Sequence, residues 1–232
     1  MLIKIKLRSI IIRVVDACSF CRFARAGRSS DSVKMEVLTL SQEFKPSATL
    51  EAKKHNLGEA ASRINQVEIA PGEVFSFWRV VGNPNDSRRF KPGRTIHAGV
   101  VKHDLGGGLC QASGIIYHAA LLLDLKIIER HNHSVDLYDD SSRFAPIGTD
   151  ATVFYGYKDL RIKNTTDSRL LFNMEVMRDT FVLTVKADKP LTLRNLATSV
   201  MLTSDGKEDV TITDDLGKIV SRSIYSLPAD SH

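Results

Sequence analysis

The chain has 232 residues, of which 43% are hydrophobic and 25% are charged, a composition typical of a folded domain and not of a globally disordered chain. The formal net charge is +5, but residues 1–30 contain seven basic residues and one acidic residue, so the rest of the chain is nearly neutral. A neutral body without alternating basic and aromatic residues gives no support to nucleic-acid binding. No stretch reaches the roughly 18 apolar residues of a membrane span.

Two segments carry apolar residues at helical spacing, residues 50–64 and residues 109–123. Shorter alternating segments predict strands. These predicted strands lie at residues 1–8, 66–70, 73–82, 95–104, 125–135, 151–157, 160–164, 169–177 and 180–187. The sequence therefore predicts an α+β fold, with two principal helices against a mainly antiparallel sheet.

The chain divides into three parts by composition and pattern. Residues 1–48 are predicted as a basic N-terminal extension and linker, and residues 49–190 as the main domain. Residues 191–232, with alternating segments around Asp214–Lys218, are predicted as a C-terminal β extension. The run SIIIRVV near the start is short and contains a charge, so no signal peptide is predicted and we expect a cytoplasmic protein.

The three cysteines are Cys18, Cys21 and Cys110, an odd number that does not suggest a disulfide framework. Cys18 and Cys21 form an isolated C-x-x-C, and no second pair completes a zinc site. We expect neither a structural metal nor a cofactor.

Cys110 follows a run of three glycines, Gly106, Gly107 and Gly108, at the predicted start of the central helix. A helix N-terminus offers unpaired N–H groups and the positive end of the helix dipole, which lower the pKa of a thiol and can bind an oxyanion. Glycines allow a sharp turn and a close substrate approach. A buried structural thiol after a tight turn has the same local pattern.

A second element follows the helix directly, the segment ERHNHS. On a strand, His131 and His133 would point to the same face, where either could act as the general base for Cys110. Asp136 and Asp150 are the candidate carboxylates that orient the base. Arg130 is a candidate ligand for a substrate carboxylate.

Three interpretations of these residues stay open on spacing alone. The first is thiol catalysis. The second is a metal site of Cys110, His131, His133 and a carboxylate. The third is a set of hydrogen-bonded structural histidines beside a core cysteine.

Four blocks in this order resemble the VanW family, which is named for an accessory protein of vancomycin-resistance operons. The blocks are PGEVFSFWRVVG, GGGLCQASGIIYHAALLLDL, ERHNHS and GTDATVFYGYKDLRIKN, within residues 56–172. The family pattern retains Cys110, Gln111, His131, His133 and Asp150. Gly114 and Ile115 stand where the family usually has two threonines, so those hydroxyl groups are lost here.

The resemblance implies a bacterial protein that works near peptidoglycan, because many relatives carry wall-binding modules. We therefore expect a cysteine-dependent acyl hydrolase or acyltransferase that acts on a peptidoglycan peptide or precursor. Cys110 would be the nucleophile, His133 or His131 the base and Asp150 its orienting acid. Gly106, Gly107, Gly108, Gln111 and Arg130 would contact substrate. The alternatives are a non-catalytic module that binds a wall peptide or a partner protein, and a metal-site protein.

Overall fold

Antiparallel strands dominate the computed structural model, which describes residues 21–27, 32–97, 100–136 and 143–227. Within these ranges the chain forms three helices and thirteen strands, which confirms the predicted α+β class. The predicted strand at residues 1–8 and Cys18 lie outside the described residues. Among the described residues, every helix is too short or too polar to traverse a bilayer.

The helices are α1 (Leu50–Ile64), α2 (Phe77–Val81) and α3 (Leu109–Leu122). The strands are β1 (Arg25–Ala26), β2 (Met35–Glu43), β3 (Val67–Ile69), β4 (Val74–Ser76), β5 (Pro92–His97), β6 (Val100–Leu105), β7 (Lys126–Glu129), β8 (Arg161–Lys163), β9 (Leu170–Val176), β10 (Thr180–Ala187), β11 (Ala197–Leu202), β12 (Lys207–Thr213) and β13 (Ile219–Ser226).

The described strands form four antiparallel sheets around the helices. The largest has the order β1-β3-β9-β10-β2, and the others are β4-β8-β7, the hairpin β5-β6 and the C-terminal sheet β11-β12-β13. Strand β2 pairs with β10 from Met35 to Glu43 and was not predicted. The predicted strands at 160–164, 169–177 and 180–187 are confirmed as β8, β9 and β10.

The core lies between the large sheet and helices α1 and α3. Alternate residues of β9 and β10 are buried, as a half-buried sheet requires. Helix α1 buries one stripe, whereas α3 is buried along almost its whole length, which makes it the central helix. The first turn of α3 is therefore held by core packing, and Cys110 lies in that turn.

Two predicted strands form other structures. Residues 73–82 change from strand to helix at Ser76, because its hydroxyl accepts the N–H of Arg79 and caps α2. Residues 95–104 belong to the hairpin β5-β6 instead of one strand, with His97 opposite Val100. The tip of this hairpin lies outside the described residues.

The two segments nearest the candidate histidines also differ from prediction. The strand predicted at 125–135 ends at Glu129, and its pairing with β8 shifts register between Ile127 and Glu129. Residues 151–157 form no regular strand, and Phe154 instead bridges Lys158 across a turn. Beyond these points the two segments meet around Asp150: its carbonyl accepts from Arg130 Nε, its carboxylate accepts the His133 N–H, and the Thr152 N–H donates to the carbonyl of His131.

Candidate functional site

The turn before Cys110 requires glycine for two different reasons. Gly106 and Gly108 have φ of +80° and +95°, a left-handed conformation that favours glycine, and Gly108 is the N-cap of α3. Gly107 packs against β5 so closely that a Cβ on it would lie 2.2 Å from the carbonyl carbon of Gly93. The glycine run thus fixes where α3 begins.

Asn56 of α1 holds this turn against the hairpin. Its amide nitrogen donates to the carbonyls of Lys91 and Gly107, both at 2.9 Å, and its amide oxygen accepts the N–H of Lys91 at 2.8 Å. The side chain is completely buried, so all three bonds lie away from water. No local sequence pattern predicts this contact, because Asn56 and Gly107 are 51 residues apart.

Cys110, His133 and Asp150 come together at the first turn of α3. The Nδ1 of His133 lies 2.6 Å from Asp150 Oδ2, which leaves Nε2 as the nitrogen available to the sulfur. The His133 side chain lies close enough to interact with the Cys110 thiol, whose Sγ also lies 3.8 Å from the carbonyl oxygen of Val153. The order of the three side chains is that of a nucleophile, a base and an orienting acid.

The electrostatics of the three groups support one another. Burial raises the pKa of the Cys110 thiol, but the hydrogen bond and the charge of His133 outweigh burial and hold that pKa below its usual value. Burial lowers the pKa of His133, but Asp150 and Cys110 raise it well above its usual value. Near neutral pH both shifts favour a thiolate beside an imidazolium.

Asp150 remains ionised although its side chain is only 28% exposed. Burial raises its pKa, but the hydrogen bond to His133 and the charge of Arg130 lower the pKa to about 2. Arg130 donates from Nη2 to Asp150 Oδ1 at 2.9 Å, and the Tyr225 hydroxyl donates to the same oxygen. The carboxylate is therefore bound on one oxygen by His133 and on the other by Arg130 and Tyr225.

The guanidinium of Arg130 binds groups of the protein itself, whereas the sequence predicted that it contacts substrate. Its side chain is only 8% exposed and donates to the carbonyls of Gly148 and Asp150 and to the Ser223 hydroxyl. The guanidinium also stacks over the ring of Tyr117 at 4.7 Å. Its contacts bind Arg130 to Asp150 and to the C-terminal sheet, and Arg130 is not among the residues that line the cleft beside Cys110.

The structure distinguishes between the paired candidates. His131 lies 3.0 Å from Glu129 through Nε2 and does not join Cys110, whereas His133 does. Asp136 binds Arg143, and the carboxylate that binds His133 is that of Asp150. The predicted arrangement of both histidines on one strand face is wrong, because the strand ends at Glu129.

The structure does not assemble all four residues proposed for a metal site, because His131 lies apart from Cys110, His133 and Asp150. His131 turns to Glu129, and the described residues contain no group of three or more His, Cys, Asp or Glu side chains arranged to hold a metal ion.

Cys110 is one of the residues that line a cleft of about 960 Å³. Gln111 lines this cleft with a side chain that is 4% exposed, and neither its amide nitrogen nor its amide oxygen has a hydrogen-bond partner among the described residues. The hydroxyl of Thr152 also lines the cleft without a partner there. Buried polar groups are rarely left unpaired, so these atoms are available to a ligand.

Sequence reasoning missed the contribution of the C-terminal sheet. Tyr225 and Ser223 of β13 bind the Asp150–Arg130 pair, and Ser221 of the same strand accepts the Tyr117 hydroxyl at 2.7 Å. Lys53 of α1, which lines the cleft beside the glycine turn, was also missed. No local pattern identifies these residues, because each acts through a contact distant in sequence.

The fold and the site together define an α+β protein with a Cys–His–Asp group at the N-terminus of a buried helix, facing an open cleft. The chain belongs to the VanW family: the family model described as VanW like protein matches residues 52–186.

Two curated relatives agree with this assignment. The chain is 38% identical over 117 residues to the vancomycin B-type resistance protein VanW of Enterococcus faecalis, a match that covers 50% of this chain and 42% of that protein. It is 29% identical over 134 residues to the uncharacterized protein YoaR of Bacillus subtilis, covering 58% of this chain and 43% of YoaR. The chain thus spans less than half the length of these relatives. No solved structure matches it.

Proposed function

We propose that the protein is a cysteine-dependent acyl hydrolase or acyltransferase that acts on cell-wall peptides or their precursors. The proposal rests on one arrangement of side chains: Cys110 interacts with His133, Asp150 binds His133, and the thiol lies at a helix N-terminus. The similarity to a vancomycin resistance protein supports a substrate from the cell wall.

The chemistry begins with attack of the Cys110 thiolate on an acyl carbon. A C–S bond forms, and the carbonyl oxygen takes the negative charge of a tetrahedral intermediate. The backbone N–H of Cys110 is the first donor for this oxygen, because it lies in the first turn of α3, where a helix has no internal acceptor. The neighbouring N–H groups of Leu109 and Gln111 already donate to the carbonyls of Gly106 and Gly108. The unpaired amide of Gln111 is a second donor at the same turn.

His133 then moves the proton that the reaction requires. The imidazolium donates a proton to the leaving amine or alkoxide as the bond to the acyl carbon breaks, and a thioester remains on Cys110. The neutral imidazole next takes a proton from water or from an acceptor amine that attacks the thioester. Hydrolysis or transfer releases the product and restores the thiolate–imidazolium pair.

The first test is the pH dependence of Cys110 alkylation by iodoacetamide, with Cys18 and Cys21 replaced by alanine. We expect Cys110 to react well below pH 8.5, and His133→Ala to abolish this low-pH reactivity. His131→Ala is the matched control, since that imidazole binds Glu129 and leaves Cys110 unchanged. A thiol that stays inert until the protein unfolds would contradict the proposal.

The second test separates catalysis from binding. Wall fragments and soluble precursor peptides incubated with the protein are analysed by mass spectrometry, with Cys110→Ser as the matched variant. Loss of product formation in a folded Cys110→Ser protein supports an enzyme. Saturable binding that survives Cys110→Ala, with no turnover by the unmodified protein, instead supports a binding module.

A further inference from the structure

Two cations line the cleft on the side of the glycine turn. Lys53 projects from α1 and packs against Gly108, where a Cβ would lie 2.6 Å from the Lys53 Cγ. Gly108 is two residues from Cys110, so the stem of Lys53 borders the first turn of α3. Arg94 lies on β5 and is close enough for its charge to act on Lys53.

Neither cation is neutralised within the described part of the chain. Lys53 and Arg94 have no side-chain hydrogen bond or ion pair there, whereas Arg143 in the same cleft binds Asp136. The acids that line the cleft have other partners, since Asp104 accepts the Thr95 hydroxyl and Asp150 binds His133. An anion from outside would therefore be the natural counter-charge.

The environment of Lys53 makes its charge costly without such an anion. The ammonium lies 5.5 Å from the ring centre of Phe144 and 5.8 Å from that of Phe44, which gives weak cation–π support. Burial, and then the positive charge of Arg94, lower the pKa of Lys53 to about 8. Lys53 is half-buried and Arg94 is exposed, so a ligand can reach both cations, and binding one that carries a negative charge would offset the cost of the Lys53 charge.

We infer that Lys53 and Arg94 form a carboxylate-binding subsite, so that the substrate attacked by Cys110 is an acyl compound bearing a free carboxylate close to the reacting bond. This inference rests on the proposed function and specifies its substrate class. Arg94 offers the planar pair of donors that a carboxylate accepts, and Lys53 offers a point charge at the glycine turn. The amide oxygen of Gln111, which also lacks a partner among the described residues, remains to accept the N–H of a neighbouring peptide group.

The test compares two reagents that differ by one charge, iodoacetate and iodoacetamide, as alkylators of Cys110. The full chain is used with Cys18 and Cys21 replaced by alanine. We expect Lys53→Met and Arg94→Gln each to lower the ratio of the iodoacetate rate to the iodoacetamide rate by about fivefold, the effect of roughly 1 kcal/mol of charge interaction. Lys53→Met keeps the stem that packs on Gly108.

Lys54→Met is the matched control, because it removes the same charge from the next residue of α1, outside the cleft and beside Glu51. A ratio that is unchanged in both cleft variants, or lowered equally in the control, overturns the inference. Cys110 that reacts with neither reagent overturns the proposed function instead.

In that last case the subsite is tested without the thiol. Trp78, the only tryptophan, lines the same cleft and reports binding by fluorescence. In Cys110→Ala protein we expect N-acetylglycine to bind at least fivefold more tightly than N-acetylglycinamide, by about the same charge interaction, and Lys53→Met to remove the difference. Equal affinities, or no saturable binding of either compound, overturn the inference.

Discussion

One carboxylate oxygen of Asp150 binds His133 twice. Oδ2 accepts the backbone N–H of His133 at 2.7 Å and lies 2.6 Å from its Nδ1. A single atom thus fixes both the backbone and the ring of the residue that contacts Cys110. The other oxygen is bound by Arg130 and Tyr225, so the carboxylate cannot turn away without breaking contacts on both sides.

Asp150→Asn should raise the pKa of the Cys110 thiol and slow its alkylation at pH 6–7 by about tenfold or more. The amide retains an oxygen that accepts from His133, but it loses the charge that stabilises the imidazolium. The negative charge of Asp150 by itself raises the thiol pKa, but that effect is smaller than the lowering by His133, which depends on the imidazolium. A shift of one pKa unit changes the thiolate fraction tenfold. Since the thiol pKa is lowered in the folded protein, the defect should shrink as the pH rises above the usual thiol range.

The measurement is the iodoacetamide rate across pH, with Asp136→Asn as the control because that carboxylate binds Arg143 at another part of the cleft. Identical pH profiles for Asp150→Asn and the unmodified protein would show that Asp150 does not tune the pair.

Tyr225→Phe should weaken the site more mildly. It removes one hydrogen bond to the Asp150 carboxylate, worth about 2 kcal/mol, while Arg130 and His133 keep the carboxylate in place. The Tyr225 hydrogen bond lowers the pKa of Asp150, so we expect that pKa, measured by NMR titration, to rise. A loss of stability without any change in the Asp150 titration would make Tyr225 purely structural.

Two glycine substitutions should change stability in opposite directions. Gly107→Ala places a methyl group against the backbone of Gly93 and should cost about 3 kcal/mol, because backbone on both sides leaves little room to relax. Gly58→Ala lies inside α1 with open space around the new Cβ and should stabilise the protein by about 1 kcal/mol.

Urea unfolding followed by circular dichroism measures both changes. If Gly107→Ala were as stable as the unmodified protein, the close contact between the glycine turn and β5 would be absent in solution.

The sequence predicted the local features that depend on neighbouring residues. Helical periodicity gave α1 at Leu50–Ile64 and placed Cys110 in the first turn of α3, and period-two alternation gave β9 and β10. It did not identify the helix α2, because a single serine cap at Ser76 ends the strand, and a short apolar run is compatible with either structure.

A break in the period-two alternation of the strand after α3 decided which histidine lies beside Cys110. The register of β7 against β8 shifts between Ile127 and Glu129, and the strand then ends. Beyond that point the side chains no longer follow a period of two, so His131 turns to Glu129 and His133 turns to Cys110 and Asp150. Spacing alone treats the two residues as equivalent.

The sequence by itself therefore determined the fold class, the two long helices, the glycine turn and the cysteine at a helix N-terminus, because these follow from contacts within a few residues. Only the tertiary structure decided that His133 and not His131 lies beside Cys110, that Arg130 and Tyr225 bind Asp150, and that Lys53 lies at the glycine turn. Each of those depends on packing between segments that lie tens of residues apart, where hydrogen bonds and burial select among side chains that look alike in sequence.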